Sequence, residues 1–384
     1  MQRYSGAPFT VYAFRENRRH VLRLINGLAG VKARISMPDY YEYELGKTAQ
    51  KIATELFKLK PNETFVITAD TESDPRAVNA MATAAFAVGA KPMTIWTPSP
   101  LGVGKAADSM LPVEALTAAL MAADAWVEFN NKYLLYSTPF EIAQRENKKL
   151  RYLNLSGMNV DMLVRTIGRV DTQALNDFQG KLASMVKAAR KIRLTSSAGE
   201  DVQMEFDPDG PVVNDVGFAD TPGPHFLSGQ LTPGYSSAVN GLIVFDGSVV
   251  PPVGLVKEPV KLHVRNGRVE KIEGGKDALA LDSWLKSFDD PGMFRVAHLS
   301  FGSNPGAKLT GNIVEDERVW GSTEWGLGYV GPDLTSDGKP IPAASHTDGI
   351  CLNTSVWLDE MLIFENGKLV HQELARLAKK LGNV

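Results

Sequence analysis

The sequence predicts an α/β N-terminal domain built on a mostly parallel sheet, followed by a β-rich α+β domain that carries a metal site. Three observations lead there. Between residues 42 and 190, short β-rich runs alternate with helical segments, which is the signature of a parallel sheet with crossover helices. Beyond residue 190 the chain changes to short strands bounded by Gly, Asn and Pro, the texture of antiparallel hairpins. That second half holds five of the six histidines, including a His-x-Asp pair on an extended run.

Taken in order, residues 1–41 are mixed and aromatic, ending in Met37-Pro38-Asp39-Tyr40-Tyr41. They read as an arm that packs on a partner subunit. The α/β domain, 42–190, opens with a strand at Thr64-Phe65-Val66-Ile67-Thr68. An Ala-rich helix follows from Asp74 to Val88, stopped by Gly89. Lys91 to Trp96 is the next strand. Leu116 to Ala123 is helical, Ala125 to Phe129 and Arg151 to Leu155 are strands, and Ala174 to Ala189 is a helix with a basic end. Neither Gly-x-Gly-x-x-Gly nor a phosphate-binding Gly-rich loop ending in Lys-Ser/Thr occurs, so nucleotide binding gains no motif support.

The β-rich domain, 191–384, begins with a hairpin whose arms, 191–195 and 201–206, bracket the turn Ser197-Ala198-Gly199-Glu200. Gly241 to Asp246 is a strand. Val260 to Val264 and Val269 to Ile272 form a second hairpin about Asn266-Gly267, the dipeptide that accepts two consecutive positive φ angles. A helix is expected at Ala278–Ser287, and strands at Ser355–Leu358 and Met361–Phe364.

Composition narrows the function. Hydrophobic residues make up 44% and charged residues 22%, an ordinary globular balance. The net charge of −3, from 41 Lys+Arg against 44 Asp+Glu, excludes the basic stripe of a nucleic-acid binder. Apolar runs fall short of the ~20 residues that a membrane helix needs, and Met1 to Arg19 has no apolar leader core. The single cysteine, Cys351, rules out a disulfide framework or a Cys-rich metal site. It reads as a buried small apolar residue. A cytoplasmic enzyme is expected, with no nucleic-acid or membrane partner.

Several residues could carry chemistry. His346 and Asp348, at i and i+2 on an extended segment, point to one face and make a metal half-site; a solvated loop pair is the plain alternative. His298 stands where a strand runs into Gly302-Ser303-Asn304-Pro305, a place for a displayed ligand or a core histidine. His225 lies in a Pro/Gly-rich loop and could exchange a proton near neutral pH. Asp215, ten residues upstream, is a weaker acid/base candidate. Glu324 sits among glycines and tryptophans, where burial would raise its pKa. His20, His263 and His371 read as surface or structural.

Taken together, these segments resemble the thermophilic aminopeptidase family (leucyl aminopeptidase or aminopeptidase T). The likeness runs through the 191–206 hairpin, Asn240-Gly241, Ser303-Asn304-Pro305-Gly306, Thr310-Gly311-Asn312-Ile313, Gly321 to Gly328 and His346-Thr347-Asp348-Gly349. It is looser over the α/β half. The peptidases of this family carry two glutamates, two histidines and an aspartate around two metals. Gln230, His298 and Glu324 stand at the first glutamate, second glutamate and first histidine positions, and only His346 and Asp348 match. A neutral glutamine cannot bridge two cations.

The metal-ligand pattern is closer to the family's 2,5-dihydroxypyridine 5,6-dioxygenase branch. There, the resemblance implies Fe(II) on His298, His346 and Asp348, with dioxygen and a hydroxylated aromatic as partners. It matches His225, before Ser228-Gly229, and Asp215, before Gly217-Phe218-Ala219-Asp220. His225 is then the expected general base, and a homo-oligomer is implied. Tyr136 replaces a pocket histidine and Glu324 replaces an apolar residue, so the substrate contacts are altered. Tyr136 and Glu324 are candidates to orient the ring or relay a proton, and Trp320 and Trp325 to wall the pocket. The rival reading is a metal-dependent hydrolase, aminopeptidase-like or an amidase, with Zn or another divalent ion and Glu324 as base. A third is a non-catalytic binding protein with a degenerate site.

Overall fold

The computed structural model describes residues 41–207 and 209–382. The proposed N-terminal arm, apart from Tyr41, and His20 lie outside the described residues. The helix α1 (Glu42–Lys51) leads into β1 (Thr64–Asp70). The next helix, α2 (Pro75–Ala87), starts where expected: the Asp74 side chain accepts from the Arg76 amide, and Pro75 occupies the first turn, where no amide is needed. It stops before Gly89, whose φ of 81° suits a residue without Cβ.

Strands β2 (Lys91–Thr97), β3 (Ala125–Glu128) and β4 (Arg151–Asn154) follow, with α3 (Val113–Ala122) and α4 (Thr138–Glu146) between them. The helices α5 (Val160–Leu163) and α6 (Thr172–Ala188) complete this half. The sheet is parallel, with β1 between β2 and β3. Its central strands are buried on both faces, as parallel sheets require. Phe65, Ile67, Val127 and Leu153 pack on one side, and Val66, Trp126 and Tyr152 on the other. The strand order reverses between β1 and β3, which makes their carboxyl end the switch point of the sheet, and there the two following loops are bonded to each other, Ser73 to Phe129 and Lys132 to Asp70.

Beyond residue 190 come β5 (Lys191–Thr195), β6 (Asp201–Glu205), β7 (Val212–Asp215) and β8 (Gly223–Phe226). Here the structure differs from the sequence reading: β8 returns to the first sheet and pairs in parallel with β4, Leu153 opposite His225. The loop expected around His225 is thus an edge strand. The chain continues through β9 (Gln230–Pro233), β10 (Ala238–Phe245), β11 (Ser248–Val250), β12 (Gly254–Leu255), β13 (Val260–Arg265) and β14 (Arg268–Glu273). The hairpin turn between the last two has positive φ at both Asn266 (48°) and Gly267 (68°), as anticipated. After α7 (Lys276–Lys286) come β15 (Val296–Gly302), the short helix α8 (Ile313–Asp316), β16 (Thr323–Val330), β17 (Ile341–Cys351), β18 (Ser355–Leu358), β19 (Met361–Glu365), β20 (Lys368–Leu369) and α9 (Gln372–Ala378).

These strands form two sheets, ordered β14-β13-β10-β6-β5-β18-β19-β20 and β12-β11-β17-β16-β15-β9-β7. They share one apolar core that includes Leu194, Val202, Ile243, Phe245, Phe301, Trp325 and Leu327. The Phe245 ring of one sheet lies against Gly349 of the other, where a Cβ would come within 2.4 Å of it. Trp325 is 1% exposed, and the half-buried Trp320 packs at a tilt against Phe178 and edge-on against Phe364. Both tryptophans therefore belong to the core and not to a pocket wall. Their apolar area outweighs any benefit of display at a polar site.

Candidate metal centre

The centre is built on three adjacent antiparallel strands, β15, β16 and β17. On β16, Trp325 and Leu327 face the core, so alternation sends Glu324, Gly326 and Gly328 to the opposite face. Register does the rest. Gly326 lies opposite His298 on one side and Asp348 on the other; Gly328 lies opposite His346; Glu324 lies opposite Ser300. Glycines on the middle strand let side chains from both neighbours close over it. A Cβ on Gly326 would fall 2.3–2.9 Å from three atoms of the His298 ring.

His298 stands within β15 and not at its end. Its Nε2 is 2.7 Å from Glu324 Oε1 and 3.5 Å from Asp348 Oδ1. His346 Nε2 is 2.8 Å from the same Asp348 oxygen. The two imidazoles are nearly parallel, 10° apart, with centroids 5.2 Å from each other. His346 Nδ1 is 2.8 Å from the Tyr329 carbonyl oxygen. A carbonyl only accepts, so Nδ1 carries a proton, and Nε2, which faces Asp348, is the nitrogen left to meet a cation.

Candidate ligand atoms of His298, His346 and Asp348 lie within 4.8 Å of one another. Two imidazoles and one carboxylate form the donor set that suits a ferrous ion with open positions. A second group, Glu317, Glu324 and Asp348, meets the same distance criterion. Three carboxylates and two imidazoles so close together call for a compensating cation.

The electrostatics agree. Burial disfavours the His298 imidazolium, but the Glu324 and Asp348 carboxylates outweigh it and push its pKa up to about 9. For Asp348, burial acts upward, and the His346 and His298 rings overcome it to bring the carboxyl down to about 2. Burial pushes both Glu324 and Glu317 up; repulsion from Asp348 adds to it at Glu324, and repulsion from Glu324 and Asp348 at Glu317.

Around this core, Gln230 of β9 donates its amide to Glu324 Oε2 at 2.8 Å and to Ser300 Oγ at 3.3 Å. Gln230 is thus a clamp on Glu324. Asp215 pairs in register with Gln230 and reaches the centre only through Arg318. The Arg318 guanidinium spans Asp215 Oδ2 and Glu317 Oε2, each at 2.9 Å. Burial raises Asp215 to about 6 despite that arginine.

Two tyrosines close the α/β side. The loop after β3 is tied at both ends: the Lys132 amide donates to Asp70 Oδ2 at 2.9 Å, and the Leu134 amide to the Glu128 carboxyl. Tyr133 stands between these anchors. Tyr136 has φ +66°, unusual for a bulky residue, and its ring packs at 6.0 Å from Phe140 and 6.4 Å from Tyr329. It is 47% exposed, a rim residue.

Of the residues singled out from sequence, the fold brings together His298, His346, Asp348 and Glu324, puts Tyr136 at the rim and holds Asp215 one arginine away. His225 is not brought to this group. Its Nε2 lies 2.7 Å from the Thr221 carbonyl oxygen, on the α/β sheet. Sequence reasoning missed Glu317, Tyr133 and Gly326. The alternating glycines of Trp325-Gly326-Leu327-Gly328 were a usable signal, since glycine inside a strand marks close approach.

The chain matches, over residues 48–371, the family model NicX, 2,5-dihydroxypyridine 5,6-dioxygenase. It is 26% identical over 347 residues to the 2,5-dihydroxypyridine 5,6-dioxygenase of Pseudomonas putida, covering 84% of this chain and 95% of that one. A solved structure of 2,5-dihydroxypyridine dioxygenase from Pseudomonas putida KT2440 superposes with TM-score 0.71 at 23% identity, over 87% of this chain and 99% of the other. Wild-type AmpT from Thermus thermophilus superposes with TM-score 0.63 at 13% identity, over 86% of this chain and all of that one (100%). At these identities the two superpositions speak to fold alone.

Proposed function

The chain belongs to the 2,5-dihydroxypyridine 5,6-dioxygenase (NicX) family, and from that premise we propose that it opens a hydroxylated aromatic or heteroaromatic ring with dioxygen, at a single ferrous ion held by His298, His346 and Asp348. The observation that carries this reading is the convergence of two imidazole nitrogens and one carboxylate across β15 and β17. When bound, ferrous iron would supply the oxygen-activating chemistry that opening an electron-rich hydroxylated ring needs.

This chain's residues do the rest. Gly326 and Gly328 leave room for the imidazoles to lie over β16. Glu324, clamped by Gln230, holds His298. A ring hydroxyl must lose its proton on binding, and Glu317 is the acceptor we assign. One of its oxygens is tied to Arg318, and the carboxyl lies beside Asp348. Burial, then repulsion from Glu324 and Asp348, raises its proton affinity. His225 is not given this role, because its ring is engaged with Thr221 away from the centre. The dihydroxypyridines are the first substrates to test.

The hydrolytic alternative with Glu324 as base has less support. Both Glu324 oxygens are already engaged, one with His298 and one with Gln230, and a general base needs a free oxygen within reach of its proton. The functional test is oxygen uptake by iron-loaded protein given 2,5-dihydroxypyridine and related dihydroxylated rings. The expected result is one dioxygen consumed per ring opened. Absence of uptake with all of them, together with zinc-dependent amide hydrolysis, would overturn the proposal.

A further inference from the structure

We infer that Tyr133 is a substrate-binding residue of this centre, donating a hydrogen bond to an oxygen on the ring that the metal holds. This deepens, and rests on, the ring-cleavage reading above.

Position is the first argument. Tyr133 lies in the loop that leaves the carboxyl end of β3, at the point where the strand order reverses between β1 and β3, the end at which open parallel sheets bind ligands. The same loop carries Tyr136, whose ring lies 6.4 Å from that of Tyr329, the residue whose carbonyl takes the His346 Nδ1 proton, so the loop borders the centre. The charges of Asp348 and Glu317 are felt at the Tyr133 phenol. Among the described residues, its hydroxyl has no hydrogen-bond partner in the protein.

Rigidity is the second. The neighbouring amides, of Lys132 and Leu134, are fixed by two carboxylates at strand ends, Asp70 and Glu128. Glu128 is itself fully buried and takes the Tyr152 hydroxyl at 2.5 Å. The Tyr133 carbonyl accepts from Gly104 at 2.9 Å, and the Ser73 hydroxyl donates to the Phe129 carbonyl at 2.9 Å. These bonds, with those of Phe129 to Thr68, Asn130 to Gly157 and Asn131 to Glu72, hold the nine-residue excursion (129–137), whose Tyr133 makes none through its side chain. A surface loop without a task has little reason to be tied so firmly, whereas a preorganised donor loses less entropy on binding.

Protonation is the third. Burial, then repulsion from Asp348, Glu317 and Glu128, holds the phenol protonated far above neutral pH. It can act there only as a donor to an oxygen or as an acceptor from a hydroxyl. A hydroxylated ring that has lost a proton presents the first kind of partner.

The test is Tyr133→Phe, which keeps the ring and removes only the hydroxyl. Protein loaded with one divalent ion is titrated anaerobically with 2,5-dihydroxypyridine and with 2-hydroxypyridine, by calorimetry, and the metal content of both proteins is measured. The inference expects unchanged metal content and a 10- to 100-fold weaker affinity for 2,5-dihydroxypyridine, the range for a hydrogen bond to a charged group. Tyr43→Phe, on the exposed face of α1 and outside the site, should change affinity less than threefold. Equal affinity of wild type and Tyr133→Phe overturns the inference and leaves the ring-cleavage reading standing. A wild-type protein that binds neither ring overturns that reading, and the inference with it.

Discussion

Gly326 lies directly across from His298, and a methyl group on it would sit 2.3 Å from the imidazole Cε1. The ring of one strand thus occupies the space that a side chain of the next would fill. Contact that close forces the imidazole aside, since overpacking of a tight site is relieved only by moving something. Gly326→Ala should therefore weaken metal binding at least tenfold, with a loss of about 1–3 kcal/mol in stability. Equilibrium metal binding and denaturant unfolding measure the two. Unchanged affinity would show that His298 is not held where the register puts it.

Gln230 fixes a buried carboxylate of the centre. Its amide is bonded to Glu324, a carboxylate 1% exposed. Gln230→Leu leaves Glu324 Oε2 buried without that partner, which costs about 1–3 kcal/mol. Denaturant titration should show that loss at neutral pH. Protonating Glu324 relieves the unpaired charge, so the gap should shrink at acid pH. A gap independent of pH would mean that the loss comes from packing.

Glu317 and His225 separate the two assignments of the proton acceptor. Glu317→Gln should retain the metal and lose 10²–10⁴-fold in turnover, the usual range for a general base. His225→Ala should keep both metal and turnover within a few-fold, because its ring contacts Thr221 and not the centre. Steady-state oxygen uptake with metal analysis decides. The opposite pattern would restore His225 to the role the family resemblance gives it.

Glu200 supplies a pH prediction away from the metal. It sits in the turn between β5 and β6, 2% exposed, with one oxygen on the Trp325 indole at 3.3 Å. Burial pushes its carboxyl up to about 8, against the pull of Cys351 and Trp325. The folded chain therefore binds this proton more tightly than the unfolded one. Its contribution is fully present below the ordinary glutamate range and is lost as pH rises to about 8. At about 1.4 kcal/mol per unit, the loss comes to roughly 3–5 kcal/mol. Glu200→Gln should flatten that part of the pH–stability curve between pH 5 and 9. A parallel curve would show that Glu200 ionises normally.

Much of this architecture was legible in the sequence, and the limits have physical causes. The hairpins at 191–205 and 260–273 follow from local turn chemistry, so their strands fall within a residue or two of expectation. The same-face placement of His346 and Asp348 follows from strand alternation alone. Pairing between distant strands has no local signature. That is why β8 was read as a loop, although it joins a sheet whose other strands all precede it by about 70 residues or more. Glu317 follows a four-residue helix and meets the centre only through tertiary packing. Trp320 and Trp325 were expected at the pocket because aromatics often line one. The period-2 pattern of β16 puts Trp325 in the core once Glu324 is assigned to the site face.

The central claim is a single oxygen-activating metal on His298, His346 and Asp348. The most direct test is metal identity and stoichiometry on protein purified without oxygen and reconstituted with competing Fe(II) and Zn(II), for the wild type, His298→Ala and Asp348→Ala. We predict about one iron per chain in the wild type and loss of it in both variants. Two zinc ions per chain, or one zinc that iron does not displace, would contradict the account.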